Sequence, residues 1–299
     1  PDGQVKVIIG TQPTGQGQET SFAQVTADLL GVSFESIEVI MGDTRVVTAG
    51  GGSHSGRSMR HAGTVIAYAV EDLVKTASNI IAQLHAVAAE DVEFDAGVLR
   101  VPQRNIALRW HEVARELELC DDRQSWPRGL RVTRDNEMHT PVFPNGCAAC
   151  EVEVDPQTGV IALLDYAAVD DVGRAINPLI LHGQAHGSIA QGIGQAMWEF
   201  CHIDESSGQP LCGSLMDYCL PRAADMPLMH TVLHEVLSPT NPLGIKSGGE
   251  GATTPALAVV VNAAVDALAH LGIEHIEMPL TPFRVWQAIT HHANMDPTT

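Results

Sequence analysis

Apolar and polar positions along this chain change period in short blocks. Val5 to Ile9 is a β-branched run, the pattern of a buried strand. After the turn TQPTGQGQET, Phe22, Val25, Leu29 and Leu30 recur at helical spacing, and Gly31 supplies a stop. Ile37, Val39 and Met41 then alternate with polar residues, which predicts a second strand and completes a strand–turn–helix–strand unit. A long helical pattern follows over about 62–85, and residues 92–101 suggest a small hairpin. Trp110, Val113 and Leu117 give 108–119 the period of a short amphipathic helix. From Cys120 to Thr140 the chain is charged, aperiodic and broken by Pro127 and Gly129, so 121–140 is expected to link two lobes.

Beyond that linker, Val152 and Val154, the turn Asp155–Gly159 and the run Val160–Val169 predict a hairpin. Asn177-Pro178 leads into LHGQAHGSIAQGIGQAMWEF. Its small residues Gly183, Gly187, Ser188, Gly192 and Gly194 suit a helix packed tightly against a neighbour or a ligand. GSLMDYCLP reads as a strand, and a Pro-punctuated extended segment leads on to Asn241. From there NPLGIKSGGEGATTPALAVVVNAAVDALAHLG is a glycine-dense turn feeding a helix, with Thr254 as N-cap, Pro255 at the first helical position and Gly272 as the stop. Leu257, Val260, Val261, Ala264, Val265 and Leu268 leave almost no polar face, which places this helix deep in its domain. The fold class is therefore α+β: two α/β lobes over 1–120 and 141–299, with 121–140 between them.

Composition narrows the function classes. With 299 residues, 44% hydrophobic and 18% charged, the chain has the make-up of a globular protein with a substantial core. A net charge of -19 repels nucleic acid and anionic membranes. The apolar runs read as shorter than a bilayer span, and the N-terminus has no signal-peptide pattern. Six irregularly spaced cysteines fit a reducing cytoplasm better than a disulfide framework. The opening Pro1-Asp2-Gly3, which enters a strand without an initiator Met, reads as a fragment or processed subunit.

Candidate chemistry collects at glycine-rich turns. Gly15-Gln16-Gly17 precedes a helix, where backbone N–H groups and a glutamine amide can meet an anionic or oxo ligand; an ordinary loop has the same composition. AGGGSHSGRSMRHAG, residues 49–63, also enters a helix, and its serines and Arg57 are the makings of a phosphate cradle, although it matches neither the P-loop nor the dinucleotide fingerprint. Glu250, between Gly249 and Gly251, suits an anionic base facing a crowded pocket, or a solvated acidic turn. Cys147-Ala-Ala-Cys150 lacks a second pair at zinc spacing, and in a strand its thiols face opposite sides. His182 and His186 have the spacing of a zinc pair, but Gly183 stands where a zinc protease carries glutamate.

Four patches in order, TGQGQET, GDTRVVTAGGGSHSGRSM, DDVGRAINPLILHGQAHGSIAQGIGQAMWE and GIKSGGEGATTPALAVVVNAAVDAL, closely resemble the molybdenum-binding large subunit of the xanthine oxidase, aldehyde oxidase and aerobic carbon monoxide dehydrogenase family, in its carbon-monoxide-dehydrogenase-like branch. That family's last motif usually has the form K-G-x-G-E. The resemblance therefore makes Glu250 the catalytic base, with Gly249 beside it and Ser247 departing from the pattern. It assigns cofactor contacts to Gly15, Gln16 and Gly17, to Ser53, Ser55, Gly56, Arg57 and Ser58, and to Gln184, with no direct metal ligand from the chain; Met59-Arg60-His61 has no family role.

The resemblance further implies a molybdopterin cofactor, as the cytosine dinucleotide, with molybdenum. FAD and [2Fe–2S] clusters are implied on partner chains or missing domains. The partners implied are the N-terminal half of the large subunit, an FAD subunit and an iron–sulfur subunit. The reaction implied is hydroxylation of a small molecule (an aldehyde, carbon monoxide or a heteroaromatic) with water-derived oxygen, by the C-terminal part of a cytoplasmic heteromer inactive in isolation. A different class is a non-catalytic fragment or separate medium subunit that completes a partner chain's site, for which a large exposed apolar face is the sign. A zinc hydrolase built on His182 and His186 is a third.

Overall fold

A computed structural model describes residues 2–119 and 129–295. The segment 121–128 of the expected linker lies outside the described residues. The chain divides into two compact units, 1–142 with 237–245, and 143–236 with 246–299.

The first unit opens with β1 (Val5–Ile8), β2 (Thr11–Gln12), α1 (Gln18–Leu30), β3 (Ile37–Ile40), β4 (Gly51–Gly52) and α2 (Arg57–His85). It closes with β5 (Glu93–Asp95), β6 (Val98–Val101), β7 (Ile106–Arg109) and α3 (Trp110–Leu119). β1 and β3 run parallel with Val5 opposite Ile37, so the strand–helix–strand unit read from the sequence is present. β1 is not a buried strand, however: Ile8 is 43% exposed, because a two-stranded sheet covers only part of each face, and the buried residue is Ile9 beyond its end. Gly31 ends α1 as expected, in the left-handed region at φ 63°, with its N–H on the carbonyls of Ala27 and Asp28. α2 starts at Arg57 instead of near Ala62, since Gly56 turns the chain into the helix earlier than the apolar period reveals. β5, β6 and β7 form an antiparallel meander that packs with Leu30, Ile80, Ile81 and Val113 into one core. Trp110 is sequestered there, its Nε1–H donating to the Leu30 carbonyl at 2.8 Å.

The second unit contains β8 (Asn145–Val154), β9 (Ile161–Asp171), α4 (Pro178–Met197), β10 (Leu228–Leu233), α5 (Thr253–Leu268) and α6 (Pro282–Met295). β9 is central, antiparallel to β8 with Asn145 opposite Asp171 and parallel to β10 with Leu228 opposite Asp165. The Asn177 side chain caps α4 by accepting from the Ile180 N–H at 3.0 Å, and Pro178 takes the first helical position. Gly192 lets α4 reach α5: a Cβ there would lie 2.6 Å from the Thr253 carbonyl oxygen and 2.7 Å from Ala256 Cβ. The core gathers Ile189, Ile193, Ala256, Val260, Leu280 and Val285.

Four expectations for this unit are corrected. α5 begins at Thr253 with Ala252 in the cap position, so Thr254 and Pro255 lie inside its first turn. The helix also buries a single stripe, Ala256, Val260, Ala264 and Leu268, while Val261 and Val265 are only half-buried. Its flank carries Asn262 and Asp266, which would be costly in lipid, although Thr253–Leu271 has the length and apolarity to span a membrane. That also corrects the reading that no run is long enough. Finally, GSLMDYCLP is no strand: Ser214 organises a turn, accepting from the Asp217 and Tyr218 N–H groups and donating its hydroxyl to Asp217, and the strand lies instead at Leu228–Leu233.

Candidate functional site

In the first unit, the two glycine-rich loops are brought together by a short pairing that no periodicity signals. β2 and β4 run parallel with Thr11 opposite Gly51, and the Gly51 N–H donates to the Gly10 carbonyl at 2.7 Å. The backbones pass so closely that a Cβ on Gly10 would lie 2.6 Å from the Ala49 carbonyl oxygen. α1 then starts from Gly17 and α2 from Gly56, both in the left-handed region and both without a side-chain cap. Uncapped first-turn amides and the positive ends of two helix dipoles suit an anion.

A polar chain joins the loops. Thr11 Oγ1 lies 2.8 Å from Ser58 Oγ, the Ser58 hydroxyl donates to Ser53 Oγ at 2.9 Å, and Gln18 Nε2 donates to the same Ser53 oxygen at 2.9 Å. Gln18 Oε1 is buried without a hydrogen-bond partner among the described residues, an acceptor waiting for a donor. Gln16 Oε1 accepts from the Thr14 N–H at 2.5 Å, which leaves its amide nitrogen as a donor. Arg57 reaches back to the Gly52 carbonyl at 3.5 Å, and Ser55 at φ 52° bends the loop ahead of it. Gly15 has open space where a side chain would stand. Arg60 turns away, its guanidinium donating to the Thr140 carbonyl at 3.3 Å.

In the second unit, Gly248–Glu250 is clamped against α4. A Cβ on Gly248 would lie 2.7 Å from Leu181 Cδ2, and the buried Ser188 hydroxyl donates to the Gly249 carbonyl at 2.9 Å. Gln184 stands three residues after Leu181 and four before Ser188, on the same face of α4. Glu250 is exposed, directly before the N-terminal turn of α5, and its carbonyl accepts from the Thr254 N–H at 3.4 Å. Upstream, Lys246 pairs with Asp171 with both side chains nearly buried, and its N–H donates to the Val172 carbonyl at 2.8 Å. Burial pushes the Asp171 carboxyl up, but the Lys246 ammonium and the N–H groups of Gly173 and Val236 outweigh it and hold the carboxyl below its usual value.

The structure thus brings the loops of Gly15–Gly17 and Ser53–Ser58 together in one unit, and in the other it holds Gly248–Gly249 against Leu181 and Ser188 of α4, the helix that carries Gln184. Thr11, Gln18 and Asp171 support these groups and were given no role in the sequence, where Gln18 was visible only as the second glutamine of TGQGQ; Ser188 was read there as one of the small residues that pack α4, and here it holds the Gly249 carbonyl. The remaining motifs fall outside. His182 Nδ1 and His186 Nε2 lie 2.8 and 3.2 Å from the hydroxyl of Thr231 on β10, and no cluster of three metal-ligating side chains occurs among the described residues. Cys147 and Cys150 point to opposite faces of β8, and burial pushes the Cys150 thiol up to about 11. A groove of about 710 Å³ runs along α5 past Val259, Asn262, Asp266 and Glu274, and none of the candidate site residues lines it.

These features are those of an α+β chain whose glycine loops offer backbone donors at helix N-termini. A molybdopterin cofactor-binding domain model matches residues 1–227, and the chain belongs to that family. It is 32% identical to the carbon monoxide dehydrogenase large chain of Hydrogenophaga pseudoflava, across 98% of this chain and 36% of that one. Identity to the nicotine 6-hydroxylase large subunit of Paenarthrobacter nicotinovorans is 33%, across 96% and 35%. Reconstituted CO dehydrogenase from Oligotropha carboxidovorans superposes with a TM-score of 0.88 at 30% identity, covering 98% of this chain and 36% of that chain. The family resemblance read from the four patches and the α+β class read from the pattern of strands and helices are both borne out. The chain spans about a third of the length of these curated relatives.

Proposed function

We propose that this chain is part of the molybdopterin-binding catalytic subunit of a molybdenum hydroxylase that oxidises a small aldehyde, carbon monoxide or a heteroaromatic compound. The observation that carries the reading is the first-unit cradle: two uncapped helix N-termini, Arg57, the Ser53–Ser58 hydroxyls and the orphaned Gln18 Oε1. This donor set fits a phosphate-bearing pterin, here taken to be the cytosine dinucleotide, and the unpartnered Gln18 oxygen fits an N–H of the bound group. When bound, the cofactor supplies the redox chemistry that oxidises the substrate with oxygen drawn from water.

The chain's own residues take separate parts. Arg57 and the amides following Gly17 and Gly56 hold phosphate; Ser53, Ser55 and Ser58 shape that loop. Gln16 and Gln184 donate neutral amide hydrogen bonds, which orient an oxo group without adding charge. Glu250, carried on the Gly249 turn, takes a proton as general base. In this reading the electron acceptors would be FAD and [2Fe–2S] clusters on partner chains of a cytoplasmic heteromer. The division 1–120, 121–140 and 141–299 belongs to the same reading. A second reading, a part that completes a partner chain's site without catalysis of its own, is favoured by the half-covered face of α5.

Arg57→Met in the complete enzyme tests the cradle. Loss of a charge-assisted contact of about 1.5–3 kcal/mol weakens retention of the pterin dinucleotide roughly 10- to 100-fold. Pterin released on denaturation after dialysis, measured per chain, reads this directly. Wild-type retention would remove Arg57 from the phosphate site.

A further inference from the structure

Between α4 and β10 the chain folds back on itself in a hairpin. Ile203 bridges Pro210 in antiparallel register, the Asp204 N–H donates to the Gln209 carbonyl at 2.9 Å, and the Leu211 N–H donates to the His202 carbonyl at 2.8 Å. The turn is built for this: Gly208 sits at φ 70° with its N–H on the Asp204 carbonyl, and the Asp204 carboxylate accepts from the Ser206 hydroxyl and the Ser207 N–H. With hydrogen bonds at 202/211 and 204/209, the positions 203/210 and 201/212 are the non-hydrogen-bonded pairs, where opposed side chains come closest, with Cα atoms about 4.5 Å apart. The residues opposed at the second of these are Cys201 and Cys212. Their Sγ atoms lie 3.6 Å apart.

A Cα separation of this order falls inside the range disulfides use, roughly 4.4–6.8 Å. Closing the sulfurs from 3.6 Å to a bond of about 2.05 Å is an approach that rotation of the two side chains supplies. Cys201 is exposed and Cys212 partly so, which gives an oxidant access. The hairpin is also tied to its surroundings at both ends. The Tyr218 hydroxyl donates to Glu199 at 2.6 Å, and the Arg284 guanidinium of α6 lies 5.5 Å from the centre of the Phe200 ring. A bond across it would fasten the stretch between the end of α4 and Tyr218 against this anchorage.

We propose that Cys201 and Cys212 are a reversible redox pair that closes to an intramolecular disulfide under a peroxide. One thiolate attacks the peroxide oxygen, giving a sulfenic acid and, after protonation of the leaving hydroxide, one water. The second thiol attacks the sulfenic sulfur, forming the S–S bond and expelling a second water. Overall, two thiols and one hydrogen peroxide give one disulfide and two waters, with two electrons passing from sulfur to peroxide. A dithiol reductant restores both thiols.

Register distinguishes the pair from Cys147 and Cys150. Cys147 and Cys150 face opposite sides of β8, and the Cys150 thiol is desolvated. The test is thiol mapping of the complete subunit, treated with hydrogen peroxide or with reductant, alkylated and digested. The expected result is loss of alkylation at both Cys201 and Cys212, with a reducible cross-linked peptide lighter than the two thiol peptides by two hydrogens. That peptide disappears in Cys201→Ser and in Cys212→Ser, while circular dichroism of each variant matches the wild type. Two results would overturn the proposal: both thiols staying alkylatable while the exposed Cys219 oxidises, or Cys201 linking to Cys219 or to another chain in place of Cys212.

Discussion

Glu250→Gln in the complete enzyme is expected to lower turnover by about 100- to 10,000-fold, the span of a lost general base, with molybdenum and pterin content unchanged. The substitution keeps the size of the side chain and its ability to hydrogen-bond, and it removes the anion and the proton acceptor. Among the described residues no hydrogen bond or ion pair holds the carboxylate. The turn is held by Leu181 against Gly248 and by the Ser188 hydroxyl on the Gly249 carbonyl, and the Glu250 side chain is exposed. A fall in turnover at constant cofactor content therefore separates chemistry from folding. Near-normal turnover would remove Glu250 from the reaction.

The second large effect is on stability. Lys246→Met leaves the nearly buried Asp171 carboxylate without its cation, and loss of one member of such a pair costs about 3 kcal/mol. The pH dependence has a definite sign. The folded-state pKa of Asp171 lies below 3.8, so the pair's contribution is present in full above 3.8 and is lost as pH falls through the lower folded value. In the variant the lowering by the ammonium is gone, and the carboxyl titrates higher than in the wild type. Denaturant midpoints are therefore expected to differ most at neutral pH and to converge below 3.8. A constant difference across that range would mean that Lys246 stabilises through its alkyl stem alone.

Much of the fold was legible because local chemistry decided it. Gly31 ends α1 through a left-handed residue, and Trp110, Val113 and Leu117 form the buried stripe of α3. Asp155–Gly159 closes the β8–β9 hairpin with the Asp155 carboxylate accepting from the Gln157 N–H and the Thr158 hydroxyl. What stayed hidden depended on long-range packing or on polar turns inside apolar runs. Leu215 and Met216 made GSLMDYCLP look like a strand, yet both are exposed, on a turn that Ser214 and Asp217 organise. The apolar face of α5 implied burial all round, but the second unit covers only the stripe through Ala256 and Val260.

The site divided in the same way. Glycine-rich loops before helices were visible as composition, but nothing local indicated that Gly51–Gly52 would pair with Thr11–Gln12 and bring both loops to one place. Gln18 was passed over because a glutamine in the first turn of a helix is ordinary until its carbonyl oxygen is found buried and unpartnered. Lys246 stood in the last motif without an evident task; its partner Asp171 is seventy-five residues away in sequence, beyond the reach of any spacing argument.

The most direct measurement is molybdenum and pterin content of this chain produced alone and produced together with the remaining part of its large subunit. The account predicts near-stoichiometric molybdenum and pterin in the joint preparation, with the pterin lost in step when Arg57 is replaced by Met. Absence of both from the joint preparation, in a host that loads other molybdenum enzymes, would contradict the claim that these loops hold the cofactor.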